Sequence, residues 1–330
     1  MEILVHNNIP NHLSHFIDNL IDQMADGSFK FWPNFNNNSK KYHLQNIIKD
    51  KKETDSDMVI EYQGKLTVLL RVSLLIWDSE YFGYNCYKIQ IILLDLEIDP
   101  QVYIREIMPI IKKKFHELLI LRNIRFVFAD IDSTSKLQNI IIQELGFKFV
   151  VTWIDGFKKP AIRSTNCNKP DLTFGLLDEK ELVYFSNIAK ENYFKGGRFF
   201  LDYHFNENKV RGMYSSLVMN SCNQGISLVL RINKQPVGLF IVKSIIEYPS
   251  FDFLKVAHLR FLLIDPEFRG QGLGECLFDN TISYLNSKCD LIVTGLEINN
   301  IESLNLHARL GFKFNYAHNA YHFWNQTVLI

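Results

Sequence analysis

The amino-acid sequence predicts an α+β fold built from two domains in tandem. Strand-like and helix-like runs alternate around an antiparallel-rich centre, a pattern typical of α+β domains. The chain has 330 residues, and at about 150 residues per domain that length accommodates two domains. The segment Leu145–Phe149 reads Leu-Gly-Phe-Lys-Phe and recurs as Leu310–Phe314. The offset between the copies is half the chain (310 − 145 = 165), so we expect an internal duplication.

The two copies of this segment have matching surroundings. The strand-like run Phe126–Ile131 and the helix-like run Lys136–Leu145 lead to the first copy. The runs Leu291–Ile298 and Glu302–Leu310 lead to the second. A glycine at the end of each helix-like run suits a helix C-terminus. A five-residue match can also arise by chance, or because many helix-to-strand connections have similar sequences. The matching flanks favour duplication.

A polar stretch near mid-chain predicts the domain boundary. Residues Lys158–Pro170 are polar and include two prolines, which is typical of a linker. We therefore predict a degenerate first domain at 1–160, a linker at 161–172 and a catalytic second domain at 173–330. Near the start of the chain, the Asn/Ser/Lys-rich run Asn34–Lys41 predicts a loop.

The second domain should contain a mixed, mostly antiparallel central sheet flanked by helices. The apolar runs and turn signals predict strands at Leu172–Leu177, Ile226–Ile232, Val237–Ile246, Ala257–Ile264 and Leu291–Ile298. Helices are predicted at Glu179–Lys190, Glu207–Met219, Leu273–Ser287 and Glu302–Leu310. A hairpin between Phe312–Tyr316 and Tyr321–Trp324 is expected to close the domain.

Composition excludes several classes of function. Lys plus Arg and Asp plus Glu both number 36, giving a formal net charge of zero, which argues against nucleic acid as a partner. The five cysteines are scattered without paired metal-ligand spacing, so we expect no metal site and a reducing, cytoplasmic location. The sequence shows neither a secretory signal nor a stretch of about 18 apolar residues, so we expect no membrane insertion.

The most informative segment is a glycine-rich loop between a strand and a helix. The apolar run Phe261–Ile264 meets a proline turn, and Gly270, Gly272 and Gly274 then open a helix. Unpaired N–H groups at a helix N-terminus attract anions, and glycines let the backbone approach them closely. The glycine spacing does not match the dinucleotide fingerprint, and the loop lacks the Gly-Lys-Ser/Thr ending of nucleotide hydrolases. The loop is therefore predicted to hold a phosphate group, with Arg269 adding a positive charge.

Here the sequence resembles the GNAT acyltransferase superfamily. Arg269, Gly272 and Gly274 match its R/Q-x-x-G-x-G/A motif, and Asn300, Ser303, His307 and Gly311-Phe312 follow its N-x-x-A/S-x-x-x-Y/H-x-x-x-G-F pattern. The resemblance implies acetyl-CoA as acyl donor. It also implies a cofactor site made by the strand backbone and the loop amides, with Asn300 near the pantetheine and adenosine. The residues implicated are Leu262, Leu263, Ile264, Arg269, Gly270, Gln271, Gly272, Leu273, Gly274 and Asn300.

The implied chemistry is attack of an amine on the thioester carbon. The backbone N–H of Leu262 is the candidate oxyanion donor. His307 stands where the superfamily usually has a tyrosine that protonates the leaving thiolate, and a structural histidine is an equal alternative. His258 lies four residues before Leu262, and arylalkylamine acetyltransferases have histidine at a similar position. An imidazole near neutrality suits a general base, although a core histidine bonded to backbone would give the same sequence.

Two further segments suggest the acceptor. The string Trp77-Asp78-Ser79-Glu80-Tyr81-Phe82-Gly83 resembles the front domain of bacterial TDP-fucosamine N-acetyltransferases, which have a degenerate half before an active one. Gly197–Phe205 resembles that family's R-F-x-x-D-x-x-F segment. Arg198, Asp202 and Trp77 are therefore candidate substrate-binding residues, with Arg198 placed to pair with a nucleotide phosphate. A structural ion pair for Arg198 and a packing role for Trp77 remain open.

The first half lacks a cofactor loop of its own. Residue 104, at the position of Arg269 minus 165, lies in Tyr103–Ile107 without glycines, and Ser135 and Ile142 replace Asn300 and His307. We therefore expect one acyl-CoA site, in the second domain, and an N-acetyltransferase acting on a nucleotide-linked 4-amino-4,6-dideoxyhexose. Alternatives are acetylation of another amine (an antibiotic, amino acid or protein N-terminus) or a non-catalytic acyl-CoA-binding module. The prediction is compatible with a homodimer.

Overall fold

The chain folds into two compact units. A computed structural model describes residues 3–23, 32, 35–161, 171–192, 195–221 and 225–326. Unit 1 comprises Met1–Thr152 and Ala317–Ile330, and unit 2 comprises Trp153–Tyr316. The sequence places the boundary later, at 160, and assigns residues 317–330 to the second domain. Most of the predicted linker, residues 162–170, lies outside the described residues.

Unit 1 is built on a mixed sheet. Its strands are β1 (Ile3–His6), β2 (Ser56–Tyr62), β3 (Lys65–Leu74), β4 (Cys86–Leu94) and β5 (Phe126–Asp132), with parts of β6 (Lys148–Lys158) and β12 (Lys313–Trp324). The order along the sheet is β1-β2-β3-β4-β5-β12. The β4–β5 pair is parallel, whereas β1–β2, β2–β3, β3–β4 and β5–β12 are antiparallel.

Helices complete unit 1. They are α1 (Ile17–Gln23), α2 (Asn37–Lys49), α3 (Ile76–Phe82), α4 (Met108–Leu121) and α5 (Lys136–Glu144). A helical turn at Pro100–Val102 and a π-helix at Tyr103–Ile107 lead directly into α4. The main core packs α4 and α5 against the sheet, and Ile111, Phe115 and Ile141 are among its buried residues.

The loop predicted at Asn34–Lys41 is wrong from Asn37 onward, because α2 begins there. Asn36 is the N-cap, and its side chain accepts a hydrogen bond from the backbone N–H of Ser39 at 2.9 Å. Asparagine is among the best N-cap residues because it satisfies an otherwise unpaired helix donor. The polar residues that suggested a loop therefore include the N-cap and the first turn of a helix. Asn34 lies outside the described residues.

Unit 2 is a second α+β layer structure. Its strands are the remaining part of β6, β7 (Leu172–Leu176), β8 (Ile226–Ile232), β9 (Gln235–Tyr248), β10 (Leu254–Ile264) and β11 (Leu291–Glu297). The order is β6-β11-β10-β9-β8-β7. The β10–β11 pair is parallel, and the pairs β6–β11, β9–β10, β8–β9 and β7–β8 are antiparallel. The predicted mixed, mostly antiparallel sheet is confirmed.

Helices cover both faces of the unit 2 sheet. They are α6 (Glu179–Glu191), α7 (Arg198–Leu201), α8 (Glu207–Met219), α9 (Leu273–Leu285) and α10 (Ile301–Arg309). On one face, α9 buries Leu277, Phe278 and Ile282 against the strands. On the other face, Phe185 of α6 and Val218 of α8 pack against Val229, Leu239 and Leu263. The α6 helix starts with a full capping box between Asp178 and Glu181.

The predicted closing hairpin at Phe312–Trp324 is wrong, because β12 runs unbroken from Lys313 to Trp324. Its second part pairs antiparallel with β5, from His318 opposite Asp132 to Trp324 opposite Phe126. Asn319, in the segment between the two predicted hairpin strands, donates to Asn139 Oδ1 at 3.0 Å and accepts from Thr152 Oγ1 at 2.8 Å. Side-chain hydrogen bonds thus stabilise a turn-forming residue within a strand.

The described residues contain no group of three or more His, Cys, Asp or Glu side chains arranged to hold a metal ion. No helix in this part of the chain combines the length and apolar composition needed to cross a membrane. Cys86 and Cys289 are free thiols, whereas Cys276 is disulfide-bonded. A disulfide is uncommon in a reducing compartment, so the cytoplasmic location stays a prediction from sequence.

Candidate active site

Strands β10 and β11 start side by side and then lose contact. Their parallel pairing joins Val256, Ala257 and His258 to Leu291, Ile292 and Val293. Strand β10 then continues to Ile264 and β11 to Glu297 without further pairing between them in the described part of the chain. On its opposite edge, β10 stays paired with β9 as far as Ile264. The edge of β10 at 259–264 therefore has backbone groups that can pair with an extended ligand.

An irregular β-register coincides with the point where the two strands separate. The β9–β10 pairing shifts between His258 and Leu259, where Lys243 of β9 is skipped, and again between Leu259 and Phe261, where Arg260 of β10 is skipped. A bulge adds a residue to one strand, bends it and increases its twist, and bulges are common beside active sites. The register shifts lie where β10 stops pairing with β11.

The end of β10 is joined to the glycine loop by a buried aspartate. The Asp265 side chain accepts from the backbone N–H of Glu267 at 3.0 Å and caps the short 3-10 turn Pro266–Phe268. The hydroxyl of Tyr184, on α6, also donates to the Asp265 carboxylate. Burial, together with the Asp265 charge, raises the pKa of Tyr184, so this phenol stays protonated and remains a donor. These contacts fix the direction in which the loop leaves the sheet.

The loop itself presents its backbone to open space. Gly270 and Gly272 both have φ +75°, and a Cβ placed on either glycine would meet nothing within 4 Å. Gly272 is the N-cap of α9 and provides no side-chain cap. Both glycines are exposed, and no side chain of the N-cap residue bonds to the first N–H groups of α9. A helix start of this kind, with an open backbone and a glycine N-cap, suits a diphosphate.

The other predicted cofactor residues lie around this loop. Leu263 is buried, whereas Leu262 and Ile264 are half-buried against the core beneath α9, so the strand offers backbone rather than side chains. Arg269 is exposed and donates from Nε to the carbonyl of Ile264 at 3.2 Å. Gln271 is exposed and Leu273 is buried in the core. Asn300 is the N-cap of α10, accepting from the N–H of Ser303 at 3.2 Å.

His307 is buried in the core of unit 2. Its ring lies edge-on to Phe278 at 4.8 Å and to Phe312 at 5.0 Å between centroids. Its Nδ1 donates to the carbonyl of Ser303 at 2.8 Å, because a carbonyl can only accept. Burial lowers the pKa of His307. The ring is therefore neutral, and its only N–H is already used, so this geometry favours the structural role over proton donation.

His258 has the properties of a base. Its Nε2 lies 3.2 Å from the hydroxyl of Tyr248. Burial lowers the pKa of His258, the charge of Lys243 lowers it further, and the charge of Asp155 opposes this shift. The imidazole is thus neutral at pH 7 and has a lone pair that can accept a proton.

The candidate acceptor residues are distributed over both units. Arg198 begins α7 in unit 2, with its guanidinium 4.4 Å from the ring centroid of Phe199. Asp202 is buried and accepts from the backbone N–H and Nδ1 of His204 at 3.1 and 2.8 Å, so it stabilises its own turn. Trp77 lies on α3 in unit 1 and stacks on Tyr81 at 5.2 Å. Arg198 and Asp202 thus belong to the same unit as the glycine loop, whereas Trp77 belongs to unit 1.

Two carboxylates missed by the sequence analysis lie on one face of β6 and β11. Asp155 is opposite Gly295, and a Cβ on Gly295 would be 3.0 Å from its Oδ1. Glu297 follows two residues after Gly295 and therefore points to the same face. Burial raises the pKa of Glu297, and the charge of Arg198 opposes the shift. Nothing in the local sequence separates these residues from ordinary strand residues; only the register reveals them.

Unit 1 has the same strand arrangement but no loop. Its parallel pair, β4 and β5, is joined only from Cys86 opposite Phe126 to Ile89 opposite Ala129, although β4 continues to Leu94. After β4 the chain enters the helical turn capped by Asp99, whose carboxylate accepts from Gln101 N at 2.7 Å. Tyr103 is fully buried and donates to the Asp95 carbonyl at 2.8 Å. A carboxylate at the helix start would repel a diphosphate, in line with the expectation that this half holds no acyl-CoA.

Comparison with known proteins agrees with this geometry. Residues 189–312 match the acetyltransferase (GNAT) family model. An uncharacterized N-acetyltransferase of Methanocaldococcus jannaschii is 29% identical over 124 residues, which cover 37% of this chain and 54% of that protein. The chain thus matches about half the length of this relative.

Solved structures match the whole chain. A tandem GNAT protein from the clavulanic acid biosynthesis pathway has a TM-score of 0.54 at 12% identity, covering 98% of both chains. A GCN5-related glucosamine N-acetyltransferase region of a fungal multi-domain GH3 β-N-acetylglucosaminidase has a TM-score of 0.59 at 12% identity, covering 98% of this chain and 38% of that one. These neighbours establish the tandem fold.

We predict that Gly272→Asp abolishes acetyl-CoA binding, weakening it by at least about a hundredfold, because it sets a carboxylate against the diphosphate. Gly64→Asp is the matched control: Gly64 also has φ +75° and open space around it, but lies in the β2–β3 turn of unit 1. Both variants carry the same backbone strain. Calorimetric titration with acetyl-CoA should show loss only in Gly272→Asp; equal affinities would contradict the loop assignment.

We also predict one acetyl-CoA bound per chain, because Asp99 and Tyr103 replace the glycine loop in unit 1. Equilibrium dialysis with radiolabelled acetyl-CoA measures this ratio. A second site of comparable affinity that survives Gly272→Asp would show that unit 1 retains a cofactor site.

Proposed function

We propose that the protein transfers an acetyl group from acetyl-CoA to the amine of a nucleotide-linked amino sugar. Its residues 189–312 match the acetyltransferase (GNAT) family model. The acceptor we propose is of the TDP-4-amino-4,6-dideoxyhexose type. One observation supports the acyl-CoA chemistry above all: the open edge of β10 leads directly into a glycine loop at a helix start. Cytoplasmic location and homodimer formation are further proposals from the sequence.

The open edge suits a thioester cofactor because pantetheine carries two amides on an extended arm. These amides can pair with β10 as a neighbouring strand would, while the α9 N–H groups hold the diphosphate. The thioester then lies beside Leu262. The Leu262 N–H would stabilise the oxyanion of the tetrahedral intermediate. Attack by the amine forms the C–N bond, and the C–S bond breaks to release CoA thiolate, with no covalent enzyme intermediate.

His258 would accept the amine proton through intervening water. As a neutral imidazole beside Asp155 it can take up a proton and pass it to solvent. His307 is too enclosed by Phe278 and Phe312 to be the obvious acid. We therefore propose that the thiolate, a good leaving group with a thiol pKa of about 8.5, takes its proton from water.

Support for an amino-sugar acceptor comes from the resemblance of Trp77–Gly83 and Gly197–Phe205 to TDP-fucosamine N-acetyltransferases. In unit 2, the rings of Phe200 and Tyr214 stack at 6.1 Å, and Tyr214 contacts Phe261 at 6.3 Å. Aromatic surfaces with a few polar groups are typical of small-molecule sites. Arg198, on the same helix as Phe200, would bind a phosphate of the nucleotide.

We expect acetylation of TDP-4-amino-4,6-dideoxygalactose with stoichiometric release of CoA thiol, because Leu262 and the α9 loop align the thioester for attack. A thiol-release assay with acetyl-CoA measures it, alongside glucosamine, kanamycin, spermidine and an N-terminal peptide. Gly272→Asp is the inactive control. Fast turnover of another amine with an inert sugar nucleotide would replace the acceptor assignment, and tight CoA binding without any turnover would indicate a binding module.

A further inference from the structure

Two cationic residues occupy the irregular part of the β9–β10 pairing. Lys243 is the residue that the pairing skips in β9, and Arg260 is the residue that it skips in β10. Only the pair Val242–Leu259 lies between the two positions, so their Cα atoms are about 6 Å apart. Both side chains are exposed. Lys243 and Arg260, here called the cation pair, are therefore close enough for their long side chains to bind one ligand.

The described part of the protein does not neutralise the cation pair. Among the described residues, neither the Lys243 ammonium nor the Arg260 guanidinium has a hydrogen-bond partner or a carboxylate within 4 Å. The one acidic residue of β9, Glu247, lies 3.9 Å from Lys255 instead. Like charges on neighbouring strands destabilise a sheet. A bound anion would remove this repulsion.

Unit 1 shows how the sheet accommodates a structural cation. Its strands β3 and β4 pair antiparallel, as β9 and β10 do in unit 2. Arg71 of β3 is buried, and its guanidinium donates to the two carboxylate oxygens of Asp57 at 2.7 and 3.1 Å. It also donates to two backbone carbonyls of α2 at 2.6 and 3.0 Å. The exposed cation pair has no comparable set of acceptors among the described residues, which indicates a ligand rather than a packing role.

The cation pair lies beside the proposed base. His258 is opposite Ser244, the residue that follows Lys243 on β9. The charge of Lys243 lowers the pKa of His258, so the ammonium is within electrostatic range of the imidazole. An anion bound by the cation pair would therefore lie near the group proposed to accept the amine proton.

Distances along β10 assign this anion to the acceptor rather than to CoA. The CoA diphosphate is proposed to bind at 270–274, whereas Arg260 precedes Ile264, the end of β10, by four residues or about 13 Å. The proposed thioester position at Leu262 is two residues from Arg260, or about 7 Å. This distance is comparable to the width of one hexose ring. An acceptor whose amine reaches the thioester can thus place an anionic group at the cation pair.

We infer that Lys243 and Arg260 bind the diphosphate of the acceptor nucleotide, with the sugar ring lying between the cation pair and the thioester. This inference rests on the proposed function and deepens it, because it gives the anionic part of the acceptor a site on the sheet. The guanidinium offers paired N–H donors that match two phosphate oxygens, and the ammonium adds a point charge. A diphosphate has enough oxygens to bind both cations at once, whereas a carboxylate has two.

The test is the binding of TDP to the full-length protein saturated with CoA, so that the glycine loop is occupied. Calorimetric titration should show one TDP bound per chain. We expect Lys243→Gln and Arg260→Gln each to weaken TDP binding about tenfold and the double variant about a hundredfold, because each loses charge-assisted hydrogen bonds. Thymidine lacks the diphosphate, so it should bind more weakly than TDP and with equal affinity to wild type and variants.

The matched control is Lys255→Gln, because Lys255 is also an exposed cation of β10 but lies beside Glu247. It should leave TDP affinity unchanged. Acetyl-CoA affinity should be the same in every variant, and Tm should be equal or higher in the double variant because like-charge repulsion is removed. TDP affinity in the double variant within about threefold of wild type would overturn the inference, as would a parallel loss of acetyl-CoA affinity or a lower Tm.

Kinetics separate this inference from the proposed function. With the TDP-amino sugar as acceptor, the double variant should raise KM about a hundredfold and change kcat by less than about threefold, because the lost contacts bind the substrate uniformly. Wild-type turnover of the sugar nucleotide with an unchanged KM in the double variant overturns only the role of the cation pair. Turnover of kanamycin or spermidine, with an inert sugar nucleotide, overturns the proposed acceptor and this inference together. An amino-acid acceptor whose KM depends on the cation pair would replace the diphosphate with a carboxylate and so overturn the inference.

Discussion

The loss of pairing between β10 and β11 after His258 is the constraint on which the site depends. A continuous parallel pair would occupy the backbone groups of 259–264 and leave no edge for a cofactor. Two register shifts lie where the β10–β11 pairing ends, while β9 still pairs with the other edge of β10.

The two units share the strand arrangement of the site but differ in the residues that follow it. Both have a parallel strand pair that joins briefly and then separates, but the segments after the first strand of each pair differ. In unit 2, Asp265 and Tyr184 direct a glycine loop whose backbone is open. In unit 1, Asp99 caps the helix and Tyr103 anchors it to Asp95. An anion site at a helix start thus needs an open backbone and no acidic cap.

Local sequence patterns predicted the strand, loop and helix that make up the proposed cofactor site. The glycines that open the helix follow a strand and a proline turn. Because this pattern involves only residues close together in sequence, it was enough to predict the loop and α9. Long-range register was not accessible in this way. The hairpin expected at Phe312–Trp324 failed because Asn319 is held in a strand by Asn139 and Thr152, which lie far away in sequence.

The same limit applies to individual site residues. His307 fits a motif position, but its burial between Phe278 and Phe312 results from packing that the motif does not contain. Glu297 and Asp155 have no motif, and only the strand register places them beside the gap. Residues that act through backbone are therefore easier to predict than residues that act through a side chain's surroundings.

A crystal structure of the acetyl-CoA complex tests the role of the β10 edge and the α9 loop most directly. We predict diphosphate oxygens about 3 Å from the main-chain nitrogens of residues 270–274, with the pantetheine arm lying along 259–264 and the thioester beside Leu262. A complex in which acetyl-CoA occupies another surface, while the β10 edge and the α9 N-terminus stay uncovered, would contradict this role.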